Sequence, residues 1–272
     1  MPVPPAGLSD DPLRLAIDTA RSIGGEIHAL AVVDLGGIRR TESGAPPGAI
    51  YLAQLAEKRL AGRESAECAK ALERAAAACR DADVHFSGEV VAGDPRKEMG
   101  KAAASCDLLV SGIASRFAYG QSDEPGETVL SLMKTRAIPL LLSSSPYRPV
   151  ATVAVGCGGG DRTARAVGAL ARLALWKSGC RILLLAVADS PEEGEAKLAP
   201  PRRILAEAGY PAPEETVLPG PKIERFPEFC EEKGADAAVL GGWGEHRWDD
   251  FLGYSVTGRM IALGRHHLFL YM

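Results

Sequence analysis

This sequence contains no run of basic residues, no apolar stretch of membrane length and no C-x-x-C pair. Lysine and arginine total 31 against 35 aspartates and glutamates, for a net charge of −4, so there is no basic track for a phosphate backbone and nucleic acid is not an expected partner. The longest purely apolar run, Ile182 to Ala188, is far too short to span a bilayer. The opening MPVPPAGLSDD has neither the basic nor the apolar segment of a signal peptide, so the expected location is the cytoplasm. The six cysteines, at 68, 79, 106, 157, 180 and 230, suggest neither a zinc knuckle nor a redox dithiol and read as buried thiols. Catalytic signatures are missing too. Nothing marks a Ser-His-Asp or Cys-His arrangement, and His266 and His267, adjacent on a strand, would point to opposite faces rather than chelate one ion. The expectation is a protein without catalytic residues, metal or required cofactor.

What the sequence does contain is a duplication. Its 272 residues suffice for two α/β domains, each with its own core. From Ala235 to Tyr271 it reads strand, glycine turn, helix, strand, and the same order runs from Cys106 to Ser143. Asp107–Gly112 recurs as Asp236–Gly241, 129 positions on. Two ordered copies are a stronger signal than one glycine-ended strand. The polar, proline-containing SSSPYRP from Ser143 to Pro149 reads as the linker, which places one domain at 1–145 and the other at 150–272.

In order, the first helix is expected with Asp11 as cap, Pro12 in the first turn and a stripe of Leu13, Ala16, Ile17, Ala20 and Ile23, stopped by Gly24 and Gly25. A strand from Ile27 to Val33 matches Ile182 to Ala188. Residues Ile50 to Arg80 form one long helix or two meeting at Gly62, an insert whose ordinary role is to cover a sheet face. A strand near His85 to Val91 follows, and Gly93-Asp94-Pro95 opens another helix. In the second half Thr152 to Val155 is a strand, Gly156 to Gly160 a turn, and Asp161 the cap of a helix that runs to Gly179. Then come the strand Ile182 to Ala188, a helix near Glu193 to Ala208, a short strand near Thr216 to Leu218, a helix from Ile223 to Lys233, the strand Ala237 to Leu240, and a helix starting near Ser255. Strands alternating with helices imply a mostly parallel sheet covered on both faces in each half.

These copies resemble the universal stress protein family, whose members carry G-x-x-G, about nine residues, then G-[ST] at this place, and G-[DN]-P where this chain has Gly93-Asp94-Pro95. The resemblance implies a Rossmann-like α/β fold: two tandem doubly wound parallel five-stranded sheets of order 3-2-1-4-5. The family's first strand has only MPVPPAG to stand for it in the first half. Prolines are poorly tolerated in central strands, so either Val3 to Ala6 makes a short, defective strand or the natural beginning lies upstream. The family's dimers pair their final strands, which implies an intramolecular pseudo-dimer through Leu140–Ser143 and His267–Tyr271, with a homodimer also open.

By the same resemblance, residues matching Val155, Gly156 and Val187 surround adenine and ribose. Those matching Gly241, Gly244, Gly253 and Ser255 hold phosphates, with Arg247 and Val256 alongside, so ATP or AMP is the ligand implied. A glycine loop followed by a helix N-terminus suits a phosphate. Two departures matter. Gly156 replaces the Asp that contacts the sugar, and Tyr254 stands where the family has a glycine. Trp243 and Trp248 could stack on a base or pack over the loop. The first half departs further, with Ser115 for the second glycine, Glu127 for the hydroxyl donor, Asp123 and Glu124 nearby, and Arg116 as the lone counter-charge. Three readings remain: a non-enzymatic stress or regulatory protein holding a nucleotide in its second half, a ligand-free scaffold with vestigial sites, and an enzyme like the ATP pyrophosphatases, whose S-G-G-x-D-S loop is echoed by Cys157 to Arg162.

Overall fold

The computed structural model describes residues 10–36, 38, 50–113, 138–241 and 255–271. They fall into two compact units, one formed by the residues up to Cys106 and the other by Asp107–Ile113 with everything described from 138 onward.

The first unit holds α1 (Asp11–Ile23), β1 (Ile27–Asp34), α2 (Ile50–Asp81), β2 (Phe86–Gly93) and α3 (Pro95–Ala102). Helix α1 starts at Asp11, so the cap position belongs to Asp10. That residue sits at φ −79° and ψ 5°, and its side chain makes no cap bond, because the extended backbone that would let it reach back is absent. Pro12 occupies the first turn, and Gly24 ends the helix at φ +66° with its N–H on the Ala20 carbonyl, a conformation glycine adopts without strain. Strands β1 and β2 are parallel, from Ile27 opposite Phe86 to Asp34 opposite Gly93. A parallel pair needs a long crossover, and α2 supplies it as one unbroken helix of 32 residues. Gly62 does not divide it. Helix α2 packs on both strands, with Cys68, Leu60 and Leu72 against Ala31, Val33 and Val90. The insert does cover a sheet face. Asp94 opens α3 by accepting from the Lys97 N–H at 3.2 Å.

The second unit is a seven-stranded sheet. Its strands are β3 (Leu109–Gly112), β4 (Leu140–Ser143), β5 (Thr152–Cys157), β6 (Arg181–Val187), β7 (Glu214–Leu218), β8 (Ala237–Gly241) and β9 (His267–Tyr271). The described helices between them are α4 (Asp161–Arg172), α5 (Pro191–Glu207), α6 (Lys222–Glu232) and α7 (Val256–Leu263). The order is β3-β4-β9-β8-β5-β6-β7, parallel throughout except between β4 and β9. From β7 to β9 this is the expected 3-2-1-4-5. Helix α4 packs with α5 and α6 with α7. A Cβ on Gly241 would point at α4, whereas its neighbour Leu240 lies beside Phe226 of α6; alternate residues of a strand face opposite ways, so the two helix pairs cover opposite faces.

The first half departs from one five-stranded sheet. Among the described residues its second and third strands form the β1–β2 pair, and its fourth and fifth, β3 and β4, belong to the seven-stranded sheet. In the order 3-2-1-4-5 the first strand joins the second to the fourth. The residues expected to supply it, Val3 to Ala6, lie outside those described, and Pro2, Pro4 and Pro5 lack the donors a central strand needs. The final strands of the halves pair as expected. Leu140, Leu141 and Leu142 lie opposite Leu270, Phe269 and Leu268, all at 2% exposure or less. His267, fully buried at the start of β9, ties the linker down. It accepts from the Ser144 N–H at Nδ1 (3.1 Å) and donates from Nε2 to the Arg148 carbonyl (2.8 Å).

Two helix ends differ from expectation. Helix α4 stops at Arg172 rather than running to Gly179, and Ala174 and Trp176 take left-handed backbones at φ 51° and 55°. Burial explains the choice. Trp176 packs edge-on against Phe269 with ring centroids 6.4 Å apart, and the Tyr210 hydroxyl donates to the carbonyls of Leu175 and Leu170 at 2.8 and 3.2 Å, satisfying acceptors that a helix end leaves over. At the other end Gly160, not Asp161, takes the N-cap position, and no side chain caps the helix. All six cysteines are free, and Cys68, Cys79, Cys157 and Cys230 are buried. No described helix is long and apolar enough to cross a membrane.

Candidate functional site

In an open parallel sheet the ligand crevice opens beyond the carboxyl ends of the strands where their order reverses. Here β5 pairs with β6 on one side and β8 on the other, so the crevice lies above β5 and β8. Strand β5 is longer than its apolar run. Gly156 and Cys157 stay in the ladder opposite Leu185 and Ala186, leaving Gly158 to Gly160 as the turn. Thr163, in the first turn of α4, locks that turn. Its Oγ1 accepts from the Gly158 N–H at 3.2 Å and donates to the Gly156 carbonyl at 3.3 Å.

The described site residues already have protein neighbours. A Cβ at Gly156 would meet Leu240 Cδ2 at 2.8 Å and Phe226 Cε2 at 3.2 Å; the place of the family's sugar-binding carboxylate is filled by apolar side chains. Gly241 has a packing reason for being glycine. A Cβ there would lie 2.6 Å from the Arg162 carbonyl carbon and 2.8 Å from the Thr163 nitrogen, backbone atoms of α4 that cannot swing aside. Val155 is fully buried. The Val187 carbonyl accepts from Lys197 Nζ at 2.6 Å. Lys197 also pairs with Glu193 Oε1 at 2.7 Å. The hydrogen bond from Lys197, and then one from the Asp189 N–H, hold the Glu193 carboxyl below the usual carboxylate range.

On the β8 side, Ser255 adopts the extended N-cap backbone at φ −126° and ψ 148°, and its Oγ accepts from the Gly258 N–H at 2.9 Å. Helix α7 therefore starts at Val256, and Ser255 lies at its N-terminus as the sequence implies. Gly244, Arg247 and Gly253 lie outside the described residues, as do Trp243, Trp248 and Tyr254. So do Ser115, Arg116, Asp123, Glu124 and Glu127 of the first half. Of the nine residues proposed for the nucleotide, the structure therefore places Val155, Gly156, Val187 and Gly241 at the strand ends and Ser255 with Val256 at the helix start.

Sequence reasoning missed Lys197, Thr163, Leu240 and Phe226. Thr163 had a local signal, a hydroxyl just inside a helix after a glycine turn. Lys197 looked like any helix lysine, and nothing short of the α5 packing marks it. Among the described residues neither an acid–base pair nor a metal cluster emerges. Burial pushes the Cys157 thiol up to about 12, so it is neutral and no nucleophile. His266 and His267 serve separate carbonyls, Ala235 and Arg148, and no group of three potential metal ligands occurs among the described residues.

No protein-family model matches the sequence, and no curated protein does. Solved structures do match. A universal stress protein from Archaeoglobus fulgidus DSM 4304 aligns over 100% of this chain and 97% of its own, with a TM-score of 0.71 and 16% identity. A putative universal stress protein from Pseudomonas aeruginosa UCBPP-PA14 aligns over 99% and 91%, with a TM-score of 0.58 and 14% identity. The cytoplasmic domain of a prokaryotic cation chloride cotransporter aligns over 100% and 93%, with a TM-score of 0.51 and 11% identity. The chain has the universal stress protein fold along its whole length.

Proposed function

We propose that this chain is a tandem universal stress protein, a cytoplasmic regulatory protein of the stress response that holds ATP or AMP in its second half as a signal and does not turn it over. One observation carries this reading: the second half keeps the unbroken 3-2-1-4-5 order, with β8 ending in Gly241 and helix α7 opening on the Ser255 cap. Helix N-termini favour phosphate through their free N–H groups and partial positive charge. Each charge-assisted contact contributes on the order of 1.5–3 kcal/mol. The absence of turnover is part of this proposal; the Cys157 thiol at the end of β5, kept protonated by burial, offers no nucleophile.

A ligand-free scaffold is the second reading, favoured by the apolar wall at Gly156. The deciding measurement is release of small molecules from the purified protein by denaturation, identified by mass spectrometry, together with titration by ATP. Recovered adenine nucleotide, or measurable ATP binding, supports the first reading; neither supports the scaffold. Phosphate released from ATP well above background would mean an enzyme.

A further inference from the structure

Lys197 is placed unlike an ordinary surface lysine. Its side chain is 19% exposed, although lysine is the residue type most often left in water. It leaves α5 ten positions after Val187 and returns to that residue's carbonyl at 2.6 Å, at the carboxyl end of β6. Its stem lies over the turn that follows β5, where a Cβ on Gly159 would sit 2.8 Å from Lys197 Cγ. One side chain thus spans the ends of two neighbouring strands beside the reversal point. Glu193 holds it there. Oε1 takes the ammonium at 2.7 Å and Oε2 accepts from the Asp189 N–H at 3.3 Å, while Ser190 caps the same helix by accepting from the Glu193 N–H at 3.2 Å. The anchor, the lysine and the carbonyl make one closed set of contacts between the β6–α5 loop and the β5 turn.

We propose that Lys197 is a latch on the β6 side of the crevice. Its ammonium occupies a hydrogen-bonding position at the Val187 carbonyl, and a base whose exocyclic amino group reaches that carbonyl competes with the lysine for it. The inference rests on the nucleotide reading above. It adds an internal competitor for that carbonyl. A charge-assisted hydrogen bond is strong enough that giving it up lowers apparent affinity by about tenfold.

The test is calorimetric titration with ATP of the parent protein, Lys197→Met, which keeps the apolar stem, and Glu193→Gln, which keeps the lysine but removes its charged anchor. Glu193 is half exposed, so its variant folds even if the methionine variant does not. The latch predicts affinity at least tenfold higher for Lys197→Met and severalfold higher for Glu193→Gln. Affinity equal to the parent in both variants overturns the latch and leaves the nucleotide reading intact. Weaker binding by Lys197→Met also overturns it and makes the lysine a contact to the ligand. No heat from any of the three at millimolar ATP overturns the latch and the nucleotide reading together.

Discussion

Strands β3 and β8 are the same element of the repeat, and their settings differ. Among the described residues, strand β8 lies inside its sheet between β5 and β9, whereas β3 pairs with β4 alone. The first half has its outer strand pair hydrogen-bonded into the other half's sheet through β4 and β9. Buried backbone groups need partners, and an open strand edge invites aggregation. The seam between the two final strands meets both demands at once. The outer strands of one copy can thus take their pairing from the sheet of the other.

Cutting into the seam should have the largest effect. Leu141 is fully buried opposite Phe269, and Leu141→Ala is expected to lower stability by about 3 kcal/mol, read as a lower urea midpoint with an unchanged slope. A loss within a few tenths of a kcal/mol of zero would mean that the seam holds nothing together. Next comes Gly241→Ala, whose Cβ meets the α4 backbone at 2.6 Å; overpacking of this kind costs about 2 kcal/mol. A neutral result in thermal melts would show that α4 slides away freely and that the glycine serves a ligand instead.

The apolar wall sharpens the comparison with nucleotide-binding relatives. Gly156→Asp restores the carboxylate type of the family but places it against Leu240 and Phe226, so it should cost about 1–2 kcal/mol and add no ATP affinity. Paired with Leu240→Ala, which vacates the space, the same aspartate should bring a gain. Gain from the single variant would refute the wall.

The smallest effect is with pH. Burial raises the thiols of Cys157 and Cys230 from their ordinary value of 9.0 to about 12. Both keep their protons when folded and lose them more readily when unfolded. Their contribution is therefore complete well below pH 9 and is lost as pH rises through 9 toward 12. Urea titrations should show stability falling by about 1 kcal/mol between pH 7 and 9 and more steeply above. A flat profile to pH 10 would contradict the buried, neutral thiols.

By itself the sequence determined what depends on neighbours along the chain. The duplication, the alternation of strand and helix, the stop at Gly24 and the start of α7 at Ser255 were all legible, because periodicity and capping act within a turn or two. The resemblance carried by the G-x-x-G spacing added the strand order of the second half. Tertiary structure alone decided the rest. Helix α4 ends early because Trp176 finds Phe269 and Tyr210 finds two carbonyls, partners far away in sequence. Strand β5 runs on through two residues that read as a turn, because β6 offers them a ladder. Gly156 is walled by side chains from α6 and β8, Gly241 by the backbone of α4, and the Val187 carbonyl is taken by a lysine of α5. Each of these contacts joins residues that only the packing of helices on the sheet brings within reach, and no pattern in a single stretch of chain encodes that distance.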